Sequence, residues 1–185
     1  MSLPLSLLMA LVMLGSNPAC SLCCDLPVNR DNQESFTVLS QMQKISLVSC
    51  LGDRTDFRLP QILAGMTQLE KTQAAVVLHG MLQQIFNFFS TSSSHAAWDE
   101  ILLDNFLTGI YQQLEDLELC LEKGRKVEQI SVESENSRLA VKKYFQGLRL
   151  YLKEKAHSHC AWEIVRVETR RCLLFITKFT ETLRT

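Results

Sequence analysis

The sequence predicts an all-α fold. It should be a bundle of five helices in up-up-down-down order, with a long crossover between the first two. Three observations carry this. Five long stretches repeat their apolar residues with the helical period. Gly and Pro are sparse, at seven and four in 185 residues, and no hairpin signature occurs. About twenty residues, Ser46 to Met66, join the first stretch to the second, well beyond an ordinary helix–helix loop. A connection of that length can span a bundle lengthwise and let the two helices run parallel, as in up-up-down-down bundles.

The chain opens on a segment separate from this fold. Met1 to Leu22 holds no Lys, Arg, Asp or Glu, and Leu5 to Leu14 is an apolar run of secretory length ended by Gly15-Ser16-Asn17-Pro18. It is too short to cross a membrane. Residues 1–23 therefore read as a signal peptide, and 24–185 as the folded domain. Cleavage before Cys24 puts Ser21 and Cys23 at the small positions, and cleavage after Ala19 or Ser21 also fits. Removal before Cys24 leaves Cys24, Cys50, Cys120, Cys160 and Cys172. In an oxidising compartment five thiols allow two bridges with one left over, and four cysteines allow three pairings.

The first segment runs from about Asp31 to Ile45, with Asp31 as cap, Glu34 three residues on, and a face of Phe36, Val38, Leu39, Met42 and Ile45. The second, from about Thr67 to Phe89, carries Leu78, Leu82, Ile85 and Phe89 on one stripe and ends at the polar turn Ser90 to Ser94. The third, from about Ala96 to Lys123, alternates steps of four and three through Leu103, Leu107, Ile110, Leu114, Leu117 and Leu121, with Gly124 as a stop. The fourth, from about Ser134 to Lys155, aligns Val141, Phe145, Leu148 and Leu152. The fifth, from about Cys160 to Leu183, carries Val165, Thr169, Cys172, Ile176, Phe179 and Leu183, with Arg166, Arg170 and Arg171 off that stripe.

Composition narrows the function. A net charge of −1 gives no global field for nucleic acid or anionic membrane. There is no Gly-x-Ser-x-Gly, phosphate loop, His-Glu-x-x-His or Asn-x-Ser/Thr sequon. The acids Glu115, Asp116 and Glu118 flank the leucine stripe and read as a solvated face. A di-metal bundle needs two inward Glu-x-x-His pairs, and the sequence does not hold two. His157, His159 and Cys160 cluster weakly, and His79 reads as a hydrogen-bonded structural residue. Trp98 and Trp162 read as packing residues and Cys172 as a buried thiol. No enzymatic activity, cofactor or metal is expected.

Several stretches carry a resemblance. They are Cys24-Asp-Leu-Pro27, Ser49-Cys-Leu-Gly-Asp-Arg-Thr-Asp-Phe57, Leu78-His-Gly-Met-Leu-Gln-Gln-Ile-Phe-Asn87, Ala96-Ala-Trp-Asp-Glu100, Tyr111-Gln-Gln-Leu114, Lys143-Tyr-Phe-Gln146, Leu150-Tyr-Leu-Lys-Glu-Lys155 and Cys160-Ala-Trp-Glu163. In this order, over nearly the whole of 24–185, the chain resembles the type I interferons, nearest the alpha and omega branches. The resemblance implies a five-helix up-up-down-down cytokine bundle with bridges Cys24–Cys120 and Cys50–Cys160. It also implies a secreted, extracellular monomer that contacts the two chains of the type I interferon receptor and triggers antiviral, antiproliferative JAK-STAT signalling.

For the tighter-binding receptor chain, Leu51, Arg54, Arg166 and Arg171 match family positions. Arg170 departs, since relatives often carry an apolar residue there. The second bridge would bring Arg54 near Arg166 and Arg170. On the residues alone, the arginines also read as a solvated face. For the weaker chain, Phe86, Asn87, Leu102, Leu107, Tyr111 and Lys142 match. Leu107 is less typical, an aromatic being common there. Phe86, Leu102 and Leu107 read equally well as core. Two alternatives stay open: a secreted bundle holding a metal or small ligand, and an antagonist that grips one receptor chain only.

Overall fold

Six α-helices succeed one another in the computed structural model, which describes residues 28–59, 63, 69, 71–124 and 132–184. They are α1 (Val28–Gln41), α2 (Lys71–Phe89), α3 (Ser92–Ala97), α4 (Glu100–Gly124), α5 (Val132–Glu154) and α6 (His159–Arg184). A 3-10 helix, Leu47–Asp53, sits in the crossover between α1 and α2. The five long helices correspond to the five periodic segments. The expected signal segment and Cys24 lie outside the described residues, as does most of the second half of the crossover.

The boundaries differ from the sequence expectation for local reasons. Helix α1 begins at Val28, so Asp31 falls inside it. The serine run after α2 is not a simple turn. Thr91 accepts a hydrogen bond from the Ser94 amide and caps the short helix α3. Trp98 and Asp99 then break the chain, and Asp99 Oδ1 accepts from the Leu102 amide at 3.1 Å, capping α4. Gly124 is the last helical residue of α4.

Side-chain contacts give the directions. Asn32 reaches Leu173 and Thr177, while Arg166 reaches Leu39, so α1 and α6 are antiparallel. Ser35 meets Gln113, and Lys44 meets the Ala97 carbonyl, so α1 and α4 are antiparallel. His79 meets Glu118, and Phe89 meets Phe106, so α2 and α4 are antiparallel. Gly80 lies by Arg138, and Phe88 by Phe145, so α2 and α5 are parallel. The four helices α1, α2, α4 and α6 thus run up, up, down, down, and α5 lies beside α2 pointing up.

The core concentrates aromatic mass at one end. Trp162 is buried, with its ring 5.8 Å from Phe88, 6.1 Å from Phe89 and 6.2 Å from Trp98. Phe89 in turn stands edge-on to Phe106 at 5.0 Å. Burying such rings dominates the packing free energy. Trp162 ties α2 and the α3–α4 junction to α6, two residues from Cys160.

The α5–α6 corner is a Schellman turn. The His157 amide donates to Leu152 O at 2.8 Å, and the Ala156 amide donates to Lys153 O at 3.1 Å. Ala156 and His157 have φ of 50° and 54°, the left-handed region. Glycine usually fills the Ala156 position because a Cβ is strained there. We expect Ala156→Gly to raise unfolding stability by about 0.5–1 kcal/mol, relief of strain outweighing the added chain entropy. Denaturant melts of both proteins would read this; a lower midpoint for the variant would contradict it.

Candidate functional site

The crossover is fastened to the α5–α6 corner by four contacts. Cys50 and Cys160 form a disulfide with their Cα atoms 5.2 Å apart. The Tyr151 hydroxyl donates to the Asp53 carbonyl at 2.7 Å. Lys155 pairs with the Asp53 carboxylate at 2.9 Å. Phe57 stands edge-on to Tyr151 with centroids 5.0 Å apart. Burial, then the Asp53 charge, pushes the Tyr151 phenol up to about 12, so it remains a donor at neutral pH.

This fastening presents the outer face of the 3-10 helix. Ser46 caps the helix through the Val48 amide, and the short repeat turns Cys50 inward, where it is buried. Val48 is 74% and Leu51 59% exposed, large apolar side chains on a surface tied rigidly from beneath. Arg54 follows, also exposed.

The arginines of α6 part company. Arg170 is exposed and holds its guanidinium 4.5 Å over the Phe36 ring of α1, a cation–π contact. Arg171, half exposed, pairs with Glu168 at 3.5 Å. Glu168 also accepts a hydrogen bond from the Tyr144 hydroxyl at 2.7 Å, and burial raises the phenol's pKa strongly. Arg166 corrects the expectation of a three-arginine surface. Its side chain is 4% exposed. It forks onto both Glu163 oxygens, and Nη1 donates to Leu39 O at 3.1 Å. Its position falls under α1, so its guanidinium is spent on internal partners. It is a strut between α6 and α1, not part of the exposed patch.

Most of the second group lies across the molecule, where α2 is flanked by α4 and α5, but Leu102, nine residues before Tyr111 and in register with Gly109 and Gln113, falls on the α1 side of α4. Phe86 and Tyr111 face each other with centroids 6.1 Å apart, Phe86 half-buried and Tyr111 50% exposed. Tyr111 hydrogen-bonds Glu115, which raises its pKa. Asn87 is exposed and accepts from Gln83 at 3.1 Å. Leu102 and Leu107 are partly buried against the core, reaching the surface with only part of each side chain. Lys142 is exposed on the side of α5 that borders α2, between Arg138 and Arg149. His79 bridges α2 to α4 through Glu118 at 3.0 Å.

Cys120 is disulfide-bonded, and Cys24, its expected partner, lies outside the described residues. Cys172 is a buried free thiol, its sulfur 4.0 Å from the Tyr144 hydroxyl. Trp98 and Trp162 are buried. Among the described residues no three His, Cys, Asp or Glu side chains gather as a metal site, and no helix is long and apolar enough to cross a membrane.

Sequence reasoning missed the Asp53–Lys155–Tyr151 fastening and the Arg170–Phe36 contact, which join residues far apart in the chain. For Arg166 a signal existed, since Glu163 stands three residues before it, the spacing of an intrahelical ion pair.

A family model of the interferon alpha/beta domain matches residues 26–183. The chain is 52% identical over 174 residues to horse (Equus caballus) interferon alpha-2, covering 93% of this chain and 95% of that one. It is 48% identical over 186 residues to human (Homo sapiens) interferon alpha-14, covering 100% and 98%. Among solved structures, zebrafish interferon 2 superposes with a TM-score of 0.68 at 23% identity, over 80% of this chain and 96% of that one. That last likeness bears on the fold.

Two outcomes follow from the burial pattern. Arg166→Ala leaves Glu163 charged and buried without its partner, so we expect a loss of about 3–5 kcal/mol in a denaturant melt. A melt like that of the parent protein would return Arg166 to the surface. Burial pushes the Cys172 thiol up to about 12, so it stays protonated in the native state at pH 8. Iodoacetamide should label it only after denaturation. Because the unfolded thiol ionises near 9, this residue's contribution to stability is complete below pH 9 and falls as pH rises towards 12.

Proposed function

This chain belongs to the type I interferon family, the interferon alpha/beta proteins, which are signalling cytokines and not enzymes, and from that premise we propose that it bridges two receptor chains. Residues 1–23 are removed on secretion, and the remaining domain acts outside the cell as a monomer. One surface, Leu51 and Arg54 of the crossover with Arg170 and Arg171 of α6, takes the tighter-binding receptor chain. The other, Phe86, Asn87, Leu107, Tyr111 and Lys142, takes the weaker chain. Holding both on one body brings their cytoplasmic kinases together and starts antiviral, antiproliferative JAK-STAT signalling. Once the tighter chain is bound, the second is captured in the membrane plane at raised effective concentration.

The observation that supports this reading most is the covalent seat of the crossover. Val48, Leu51 and Arg54 are exposed around a buried, bridged Cys50. An apolar group with an adjacent guanidinium, held at little entropic cost on binding, has the character of an interface centre. The Arg170–Phe36 contact is a second such preorganised element, and it sits where relatives often carry an apolar residue. There the guanidinium offers its edge to an acidic partner while its face covers the ring.

The test is a reporter assay on responsive cells, with each receptor chain blocked in turn. We expect signalling that either block abolishes. Binding to both isolated chains without signalling would favour a one-sided or unproductive ligand. Arg54→Ala should weaken binding to the tighter chain roughly tenfold while the thermal midpoint hardly moves. Unchanged affinity would remove Arg54 from the surface.

A further inference from the structure

The face made by α2, α4 and α5 is divided by charge. On α4, the side that borders α2 carries Asp104, Glu115, Glu118 and Glu122, all exposed, beside Tyr111. Contacts of this stripe with α2, Glu118 to His79 and Tyr111 to Phe86, fix its orientation. On α5, the side that borders α2 carries Arg138, Lys142, Arg149 and Lys153. Arg138 packs by Gly80, and Arg149 reaches Gln84 at 3.1 Å and the Phe88 ring. Glu135, paired to Arg138 at 2.9 Å, is an acid on this side. Helix α2 between them has no acid, and its bases are Lys71 and His79. Its outward positions Val76, Gly80, Gln83 and Gln84 are half-buried and uncharged.

Three physical points make this arrangement more than a soluble surface. Like charges three and four apart on α4 repel by a few tenths of a kcal/mol each. A face shaped only by solubility mixes its signs. The rails stand about two interaxial distances apart, roughly 20 Å, while charges in physiological salt are screened beyond about 8 Å, so the rails do not neutralise one another. Among the described residues no ion pair joins α4 to α5. A net charge of −1 for the whole chain conceals this division.

We propose that this face selects and orients its partner through a charge dipole: a protein surface with a basic ridge against α4 and an acidic ridge against α5, the neutral strip of α2 lying between. This deepens, and rests on, the reading that the weaker receptor chain docks here. Both rails fit within one standard interface footprint, about 800 Å² on each partner. The dipole acts on encounter, favouring one of two head-to-tail orientations and penalising the other through like-charge contact.

The experiment is surface binding of the ectodomains of both receptor chains at low and high salt. The proteins are the parent, an α4 variant (Glu115→Lys with Glu122→Lys), an α5 variant (Lys142→Glu with Lys153→Glu), and the four-site inversion. A control, Glu34→Lys with Glu181→Lys, makes the α4 variant's charge change off this face. We expect each rail variant to associate with the weaker chain about tenfold more slowly at low salt, the effect shrinking as salt rises. The inversion, whose net charge equals the parent's, should stay weak. Binding to the tighter chain should hold throughout, which reports an intact fold. Parent-like binding by the inversion, or equal slowing by the control, would show that net charge alone acts and would overturn the dipole. Tyr111→Ala and Phe86→Ala separate the two readings. If they weaken the weaker chain's binding and the rail variants do not, the dipole fails alone. If neither class of variant matters, the docking face fails with it.

Discussion

Parallel neighbours at the start of the chain impose the constraint on which the rest depends. Because α1 and α2 both run up, the chain must return the length of the bundle between them. The Cys50–Cys160 bridge fixes where that return lies. It closes a separation of 110 residues, worth about 4–5 kcal/mol in the chain-entropy account, less any strain. Its second effect is positional. It turns a segment that loop statistics would leave variable into a seated surface. Asp53, Lys155 and Tyr151 hold the same corner by charge and hydrogen bonding, so the seat does not rest on sulfur alone.

Helix α1 is docked in another manner. Its inward face is partly polar: Asn32 donates to Leu173 O and to Thr177, and Ser35 accepts from Gln113. Leu39 O receives Arg166. At Gly109 of α4 a Cβ would lie 2.8 Å from Ser35 Oγ, so glycine lets the two helices approach. Buried polar contacts add little net stability against their desolvation cost, but a slipped register leaves them unpaired. The apolar stripe draws α1 onto the bundle, and the polar contacts fix its position along α4 and α6. Arg166 belongs to this machinery, which is why its neighbours Arg170 and Arg171 can be exposed while it is not.

The two sides of the molecule offer different physics. The crossover and α6 present exposed apolar groups and guanidinium groups already braced against Phe36 and Glu168. The α2 side presents half-buried aromatic and leucine groups between rails of opposite sign. Well-packed anchors lower dissociation rates, whereas peripheral charges act mainly on association. The proposed tighter and weaker partners, on opposite faces, accord with that division.

Much of the fold was legible in the residues because its causes are local or strongly periodic. Steps of four and three through Leu103, Leu107, Ile110, Leu114 and Leu117 demand a helix wherever they occur. A charge-free opening segment and an odd number of cysteines are likewise read without neighbours. Capping was less legible, since Thr91 and Asp99 act through hydrogen bonds that compete with equally plausible turns. The site was legible as a set of positions and not as a surface. By itself the sequence determined the helices, their apolar stripes and the cysteines available for bridging. Only the tertiary structure decided which arginines meet solvent and which charges line up beside α2. Exposure of a side chain depends on the helix packed over it, and for Arg166 that helix, α1, lies more than a hundred residues away in the chain.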